Sequence, residues 1–364
     1  MKKIGIICEY NPFHNGHIYH INKIKEMFPE STIVAVMSGN FTQRGNISLL
    51  SKEEKTNIIL KYGIDLVIEL PFVFATQSAD IFAKAAISIL NELKVDYLVF
   101  GSESNNADEL ISLAKLQTSN KNYDKTVKKY LDEGINYPTA MSKALKDLSG
   151  NTINTPNDIL GLSYIKAILE QNSSIIPLTI QRTNDFHSNS LDNKIVSATA
   201  IREALNNNLK INKFVPTEVE ELLKHKTDYD YFHLLKYKVL TEQNDIKKYL
   251  TVDEGIENRI LKYIIQANSI EELIEKIKTK RYTYNKISRM LLHILCSLTK
   301  EEALKNKNIK FIRILGFNKK GQKLLNEIKK DTTVPLIVNP KYYKELLYLD
   351  NKIDNIYKLI TEKQ

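Results

Sequence analysis

Short apolar runs alternate along the first half of the chain with longer stretches whose apolar positions recur every three to four residues. The runs at 2–8, 32–38, 65–71, 96–104 and 175–182 predict buried strands. Between them, 16–28, 51–63 and 78–93 carry helical periodicity. "SKEEKTNIILKYG" has a serine cap, early glutamates and a glycine stop. Further helices are expected at 107–117, 121–133, 138–148, 155–171 and 197–207. Strand–helix alternation of this kind implies a parallel sheet. The expected architecture is α/β: a Rossmann-like domain over 1–207, then a mainly helical domain over 208–364. After residue 207 the alternating strands stop. A late strand–helix–strand unit is suggested by "IKFIRILGF", "KKGQKLLNEIKK" and "VPLIVN".

Charge divides the chain at the same place. Residues 1–205 hold 21 Lys+Arg against 22 Asp+Glu, a net of −1, and residues 206–364 hold 31 against 21, a net of +10. The basic half suits a polyanionic partner, although lysines that merely solubilise an Asn- and Ile-rich chain would look the same. The two cysteines, Cys8 and Cys296, make neither a disulfide framework nor a cysteine zinc site. No apolar stretch is long enough for a bilayer and the start is not a signal peptide. A cytoplasmic, membrane-free protein with no evident obligate protein partner is expected.

Candidate chemistry concentrates at the exit of the first strand, "IICEYNPFHNGHIYHI". Ligands of open parallel sheets sit beyond the carboxyl ends of the strands, and a helix N-terminus there attracts phosphate. His14 and His17 are placed to donate hydrogen bonds to phosphate oxygens, with Gly16 giving a ligand close approach to the backbone. Histidines that only start a helix are the plainer alternative. A zinc triad fits poorly: His20 lies about 120° around the helix from His14, and no cysteine or acidic cluster completes a tetrahedron. No G-x-G-x-x-G follows the strand, which excludes a dinucleotide-dependent oxidoreductase. Farther along, "SATAIR" puts Ser197, Thr199 and Arg202 at a helix start, where hydroxyls and a guanidinium suit phosphates. Ser197 also reads as a simple N-cap.

His-x-Gly-His after the first strand resembles the HIGH motif of the nucleotidyltransferase superfamily. The SATAIR element is similar to that superfamily's second signature, with Arg202 in place of the usual lysines. "CEYNPFHNGH", "VMSGNFTQRG", "DLVIELPFVFATQSADIFAKAA", "LVFGSES", "NYPTAMSKAL", "TPNDILGLSY", "SATAIREAL" and "KRYTYNKISRMLLHIL" together resemble the tRNA(Met) cytidine acetate ligase family over most of the chain.

The resemblance implies a Rossmann-like nucleotidyltransferase domain and an ATP-dependent ligase. Acetate would attack the α-phosphate of ATP, and acetyl would pass from the adenylate to N4 of the wobble cytidine of elongator tRNA(Met). It implies ATP as substrate, leaves magnesium open, and gives His14, His17, Ser197, Thr199 and Arg202 catalytic roles. The family's ATP positions fall on Ile7, Cys8, Glu9, Tyr10, Asn11, Pro12, Phe13, His14, Asn15, Gly16, His17, Ile18, Tyr19 and His20, then Gly101, Asn157 and Arg182. Singly, the last three read as a turn glycine, an N-cap asparagine and a surface arginine.

Two further stretches stay open. In "SGNFTQRG", Arg44 could hold acetate or meet tRNA, or the loop could be free. In "KTKRYTYNKISRM", Lys280, Arg281, Tyr284 and Arg289 offer cations and a stacking ring to single-stranded RNA, or a solvated charge run. Rival functions are a cofactor-forming adenylyltransferase, which needs no basic half, and a non-catalytic RNA-binding protein.

Overall fold

Seven strands carry the fold: β1 (Lys3–Cys8), β2 (Thr32–Ser38), β3 (Leu66–Leu70), β4 (Tyr97–Ser102), β5 (Ile176–Gln181), β6 (Ile312–Phe317) and β7 (Leu336–Ile337). They form one sheet in the order β5-β4-β1-β2-β3-β6-β7. The structure is a computed structural model that describes residues 1–182, 195–224, 226 and 229–362. β1 to β5 pair in parallel, as the strand–helix alternation predicts. Side chains alternate across the sheet. Val34, Val36, Ile68 and Phe100 enter one apolar layer; Ile33, Ala35, Met37, Val67 and Val99 enter the other.

Local signals set the helices. Ser51 and Glu54 form the expected reciprocal cap before the helix Lys52–Lys61. Helices Ala107–Ser119, Tyr123–Asp132, Tyr137–Ser149 and Pro156–Glu170 lie between β4 and β5. Beyond residue 207 the chain is helical up to Lys305, and its apolar core is continuous with one face of the sheet: Ile260, Leu273 and Leu291 share a layer with Val36 and Ile68.

The late strand–helix–strand unit forms, but as an extension of the first-half sheet. β6 runs antiparallel to β3, and β7 pairs parallel with β6. An edge strand presents unpaired backbone groups, and β6 supplies their partners on β3. A buried ionic network fastens this return. The fully buried Lys52 ammonium lies 2.8 Å from Glu69 of β3 and 2.6 Å from Asp354 of the C-terminal helix Tyr348–Thr361. Arg313 of β6 reaches the same two carboxylates at 3.1 and 3.2 Å. Asp350 joins them, its carboxyl pushed up to about 7 by burial and by Glu69. No helix of the described residues is long and apolar enough to cross a membrane.

Lys52→Met leaves Glu69 and Asp354 short of a cation in a dry site. It is expected to lower the unfolding free energy by about 3–5 kcal/mol, read from the urea midpoint; a loss below about 1 kcal/mol would mean that the network behaves as a surface ion pair.

Candidate active site

The sheet order reverses at β1, which has β2 on one side and β4 on the other. A cavity of about 720 Å³ opens at the carboxyl ends of β1, β4 and β5, where an open sheet accepts its ligand. Four arginines line it: Arg44, Arg182, Arg202 and Arg289. Its carboxylates are Glu9 and Asp80, and Asp80 is paired with Lys166 at 3.2 Å. The surplus of guanidinium groups suits a polyanion.

β1 leaves the sheet through Tyr10, which takes a left-handed backbone at φ 51°, and a cis Asn11–Pro12 bond. The helix Asn15–Met27 then starts on imidazoles instead of a hydroxyl or carboxylate cap. The Gly16 N–H donates to Nδ1 of His14 at 3.0 Å, and the His14 N–H donates to Nδ1 of His17 at 3.2 Å. The rings lie 3.8 Å apart, centroid to centroid. Gly16 serves these histidines: a Cβ there would sit 2.8 Å from Cε1 of His14, so the His14 ring itself occupies the approach expected for a ligand.

This cap fixes the chemistry of both rings. With Nδ1 accepting, the single proton of each neutral imidazole is on Nε2, which is left as a donor. The rings stay neutral: burial, with help from Arg182 and Arg202, pushes His14 down to about 3. His17 is also driven well down by burial and then by His14. His20, which lies about 120° around the helix from His14, lines the same cavity, and its buried Nε2 has no hydrogen-bond partner among the described residues. Burial and Arg182 push it down to about 4.

The opposite wall comes from β4, β5 and two helix starts. Gly101 and Arg182 end neighbouring strands, and a Cβ at Gly101 would meet the Arg182 side chain at 3.3 Å. Asn157, in the first turn of the helix Pro156–Glu170, donates to Glu103 at 2.5 Å. Glu103 also accepts the Asp158 N–H and faces Arg182 at 3.8 Å. Glu103, unmarked by the sequence, therefore positions both predicted groups. Ser197 caps the helix Ala198–Asn206 by accepting the Ala200 N–H. Arg202 donates to Thr199 at 3.2 Å and to the Asn11 carbonyl at 2.7 Å, so the SATAIR element is tied to the histidine loop and both line the cavity.

The "SGNFTQRG" loop is held in place by the basic half. Ser288 donates to the Gly45 carbonyl, Arg289 donates to the Gln43 carbonyl, and a Cβ on Gly45 (φ 86°) would lie 2.5 Å from the Arg289 nitrogen. Arg44 and Arg289, predicted from separate stretches, thus enter one cavity. Lys55, missed because it looks like an ordinary helix-surface lysine, is fully buried. It donates to the carbonyls of Glu9, Ser38 and Gly39 at 2.7–2.9 Å.

Other predicted positions lie apart. Pro12, Phe13, Asn15 and Ile18 do not line the cavity. Phe13 is fully buried in the core, and Asn15 donates to the Lys213 carbonyl. Lys280, Arg281 and Tyr284 are exposed beyond it, whereas Tyr282 is buried beneath Lys286. Among the described residues, no group of three or more histidines, cysteines and carboxylates is assembled as a metal centre.

The family model HIGH Nucleotidyl Transferase matches residues 1–364. The chain is 41% identical to the tRNA(Met) cytidine acetate ligase of Anoxybacillus flavithermus, over 94% of this chain and 90% of that protein. It is 39% identical to that of Clostridium novyi, over 100% and 96%. The crystal structure of Thermotoga maritima TmcAL bound with alpha-thio ATP superposes with a TM-score of 0.88 at 31% identity, covering 99% of this chain and 95% of that one. The apo form superposes at 0.90 with the same identity and coverage.

Between the ordinary imidazole value of 6.5 and about 4, the unfolded chain binds protons that folded His14 and His20 refuse. Each ring therefore adds stability above pH 6.5, which is lost as the pH falls toward 4. The urea midpoint is expected to fall between about pH 7 and about pH 5, and His20→Gln is expected to shrink that fall; an equal fall in the variant would place the neutral ring elsewhere.

Proposed function

The chain belongs to the tRNA(Met) cytidine acetate ligase family of HIGH nucleotidyltransferases, and from that premise we propose how its residues divide the work of an ATP-dependent tRNA-modifying ligase. The enzyme joins acetate to ATP as acetyl-adenylate and passes acetyl to N4 of the wobble cytidine of elongator tRNA(Met), releasing AMP and pyrophosphate. One observation carries the assignment: two neutral imidazoles, each with a donor Nε2–H fixed by a backbone cap, stand at a helix N-terminus in a cavity walled by Arg182 and Arg202.

When acetate attacks the α-phosphorus, charge spreads over its non-bridging oxygens and onto departing pyrophosphate. Fixed donors and cations aimed at that charge lower the barrier without reorganising. We assign His14 and His17 to the α-phosphate. Ser197, Thr199 and Arg202 receive the outer phosphates, and Gly101, Asn157 and Arg182 form the adenosine end. A protonated imidazole would be costly to bury here beside two guanidinium groups, so neutral donors suit the site better than extra cations.

The basic helical part supplies the tRNA surface. Lys280, Arg281 and Tyr284 lie exposed at and before the start of the helix Tyr284–Leu295. The same helix sends Arg289 into the catalytic cavity. A wobble base is unpaired in free tRNA, so a stacking ring with flanking cations fits it. We place the enzyme in the cytoplasm, with acetate and elongator tRNA(Met) as its partners.

The reaction is tested by incubating the protein with labelled acetate, ATP and elongator tRNA(Met). Label is expected in cytidine; pyrophosphate released only with a phosphorylated small acceptor would favour a cofactor-forming enzyme. His17→Ala is expected to slow acetate-dependent exchange of pyrophosphate into ATP by about 100-fold or more, while tRNA affinity changes little; equal losses in both would contradict the division of labour. Replacing Lys280 and Arg281 by alanine is expected to weaken tRNA binding and lower its salt slope by about one unit for each phosphate left without its cation. An unchanged slope would move the tRNA surface elsewhere.

A further inference from the structure

Acyl transfer to an amine must dispose of a proton. The amine nitrogen bonds to the acetyl carbonyl carbon. The bond from that carbon to the phosphate oxygen breaks, and its electron pair leaves with AMP. One N–H proton has to be taken up by a base within reach, and a carboxylate in the cavity can take it before the departing phosphate does. The histidines that hold the phosphate cannot take it, because His14 and His17 use Nδ1 as an acceptor and carry their proton on Nε2. Lys55 spends its ammonium on three carbonyls. The Cys8 thiol, pushed up to about 12 by burial, keeps its own proton. Asp80 is neutralised by Lys166.

We propose that Glu9 accepts this proton, acting at the seam where the tRNA-facing loop meets the adenylate. The inference rests on the acyl-transfer reading above. Glu9 lies at the carboxyl end of β1 and lines the cavity. Only Oε1 is engaged, accepting the Gln43 N–H at 2.6 Å and the Ser38 hydroxyl at 3.3 Å. Oε2 has no hydrogen bond among the described residues. Gln43 is the residue whose carbonyl receives Arg289 from the basic half, so the carboxylate is clamped to the segment that would present RNA. Lys55 from the helix Lys52–Lys61 and Arg44 from the loop act on this carboxyl, and its charge in turn acts on Tyr164 of the helix Pro156–Glu170 and on Cys8 of β1. Burial outweighs the cations and raises its proton affinity above that of an ordinary glutamate, which makes it a stronger base than an exposed carboxylate.

Glu9→Gln keeps an oxygen for the Gln43 N–H and removes the base. With the full chain, acetate, ATP and tRNA(Met), acetyl transfer to tRNA is expected to fall about 100-fold further than acetate-dependent pyrophosphate exchange. Parallel losses, or none in transfer, would overturn the assignment. A second readout needs no variant: the transfer rate of the unaltered protein should decline on the acid side as one group is protonated, while exchange lacks that limb. A transfer rate without an acid limb, or a limb that persists in Glu9→Gln and vanishes in His20→Gln, would overturn it. Absence of acetate-dependent exchange in the unaltered protein would instead remove the acyl-transfer reading itself, and the assignment with it.

Discussion

One buried ammonium sets the shape of the crevice. Parallel strands end in carbonyls that have lost their ladder partners, and at the ends of β1 and β2 these would point into a dry cavity wall. Lys55 satisfies three of them at once, with three donors for three acceptors. Burial pulls its affinity for a proton down to about 8, even with Glu9 nearby to favour the charge, so the ammonium form still prevails at neutral pH. Two walls of the site hang from those strand ends: Glu9 and the histidine loop on one, the loop through Gln43 and Arg44 on the other. An unpaired carbonyl here would cost stability and would also let the two walls drift.

Fixed walls are what a nucleotidyl transfer site requires, since there is little covalent chemistry for the protein to perform. The imidazole cap extends the same logic. A hydroxyl cap would satisfy the helix N-terminus equally well but would offer the phosphate nothing more. Two imidazoles satisfy it through Nδ1 and present Nε2–H on the other side of the ring. Arg202 then ties this loop to the SATAIR helix through the Asn11 carbonyl. Both signature elements are thereby locked to each other before any ligand arrives.

Periodicity made the strands and helices of the first half legible, because each is a local pattern that buries one face. The histidine loop and SATAIR were legible as chemistry because hydroxyls, imidazoles and a glycine at a helix start are unusual together. What escaped is long-range. Glu103 looks like any acidic loop residue until Asn157 and Arg182 meet it across about fifty and eighty residues of chain. Lys55 sits in a sequence that reads as a solvated helix start, and only β1 and β2 reveal that it points inward. β6 read as the start of a separate small unit, since no local pattern says which edge a strand will join; the Lys52 network with Glu69, Arg313 and Asp354 decides that. Tyr282 and Tyr284 look interchangeable in sequence, yet one is core and the other solvent-facing.

The seam between the halves explains why both chemical steps belong in one chain. Acetyl-adenylate is a mixed anhydride that water destroys, so it is useful only if the acceptor amine arrives where it is made. On the proposed tRNA surface, the Tyr284–Leu295 helix would link the two steps: its start is exposed with Arg281 nearby, and its Ser288 and Arg289 grip the loop that holds Glu9. Gly45 permits that grip, because any Cβ there would collide with the helix backbone. On the proposed assignment, RNA bound at the outer end of this helix would be coupled to Glu9 by a short chain of contacts through Arg289 and Gln43. On that proposal, the handover needs an unpaired base that reaches from the basic surface into a cavity whose donors are already in place.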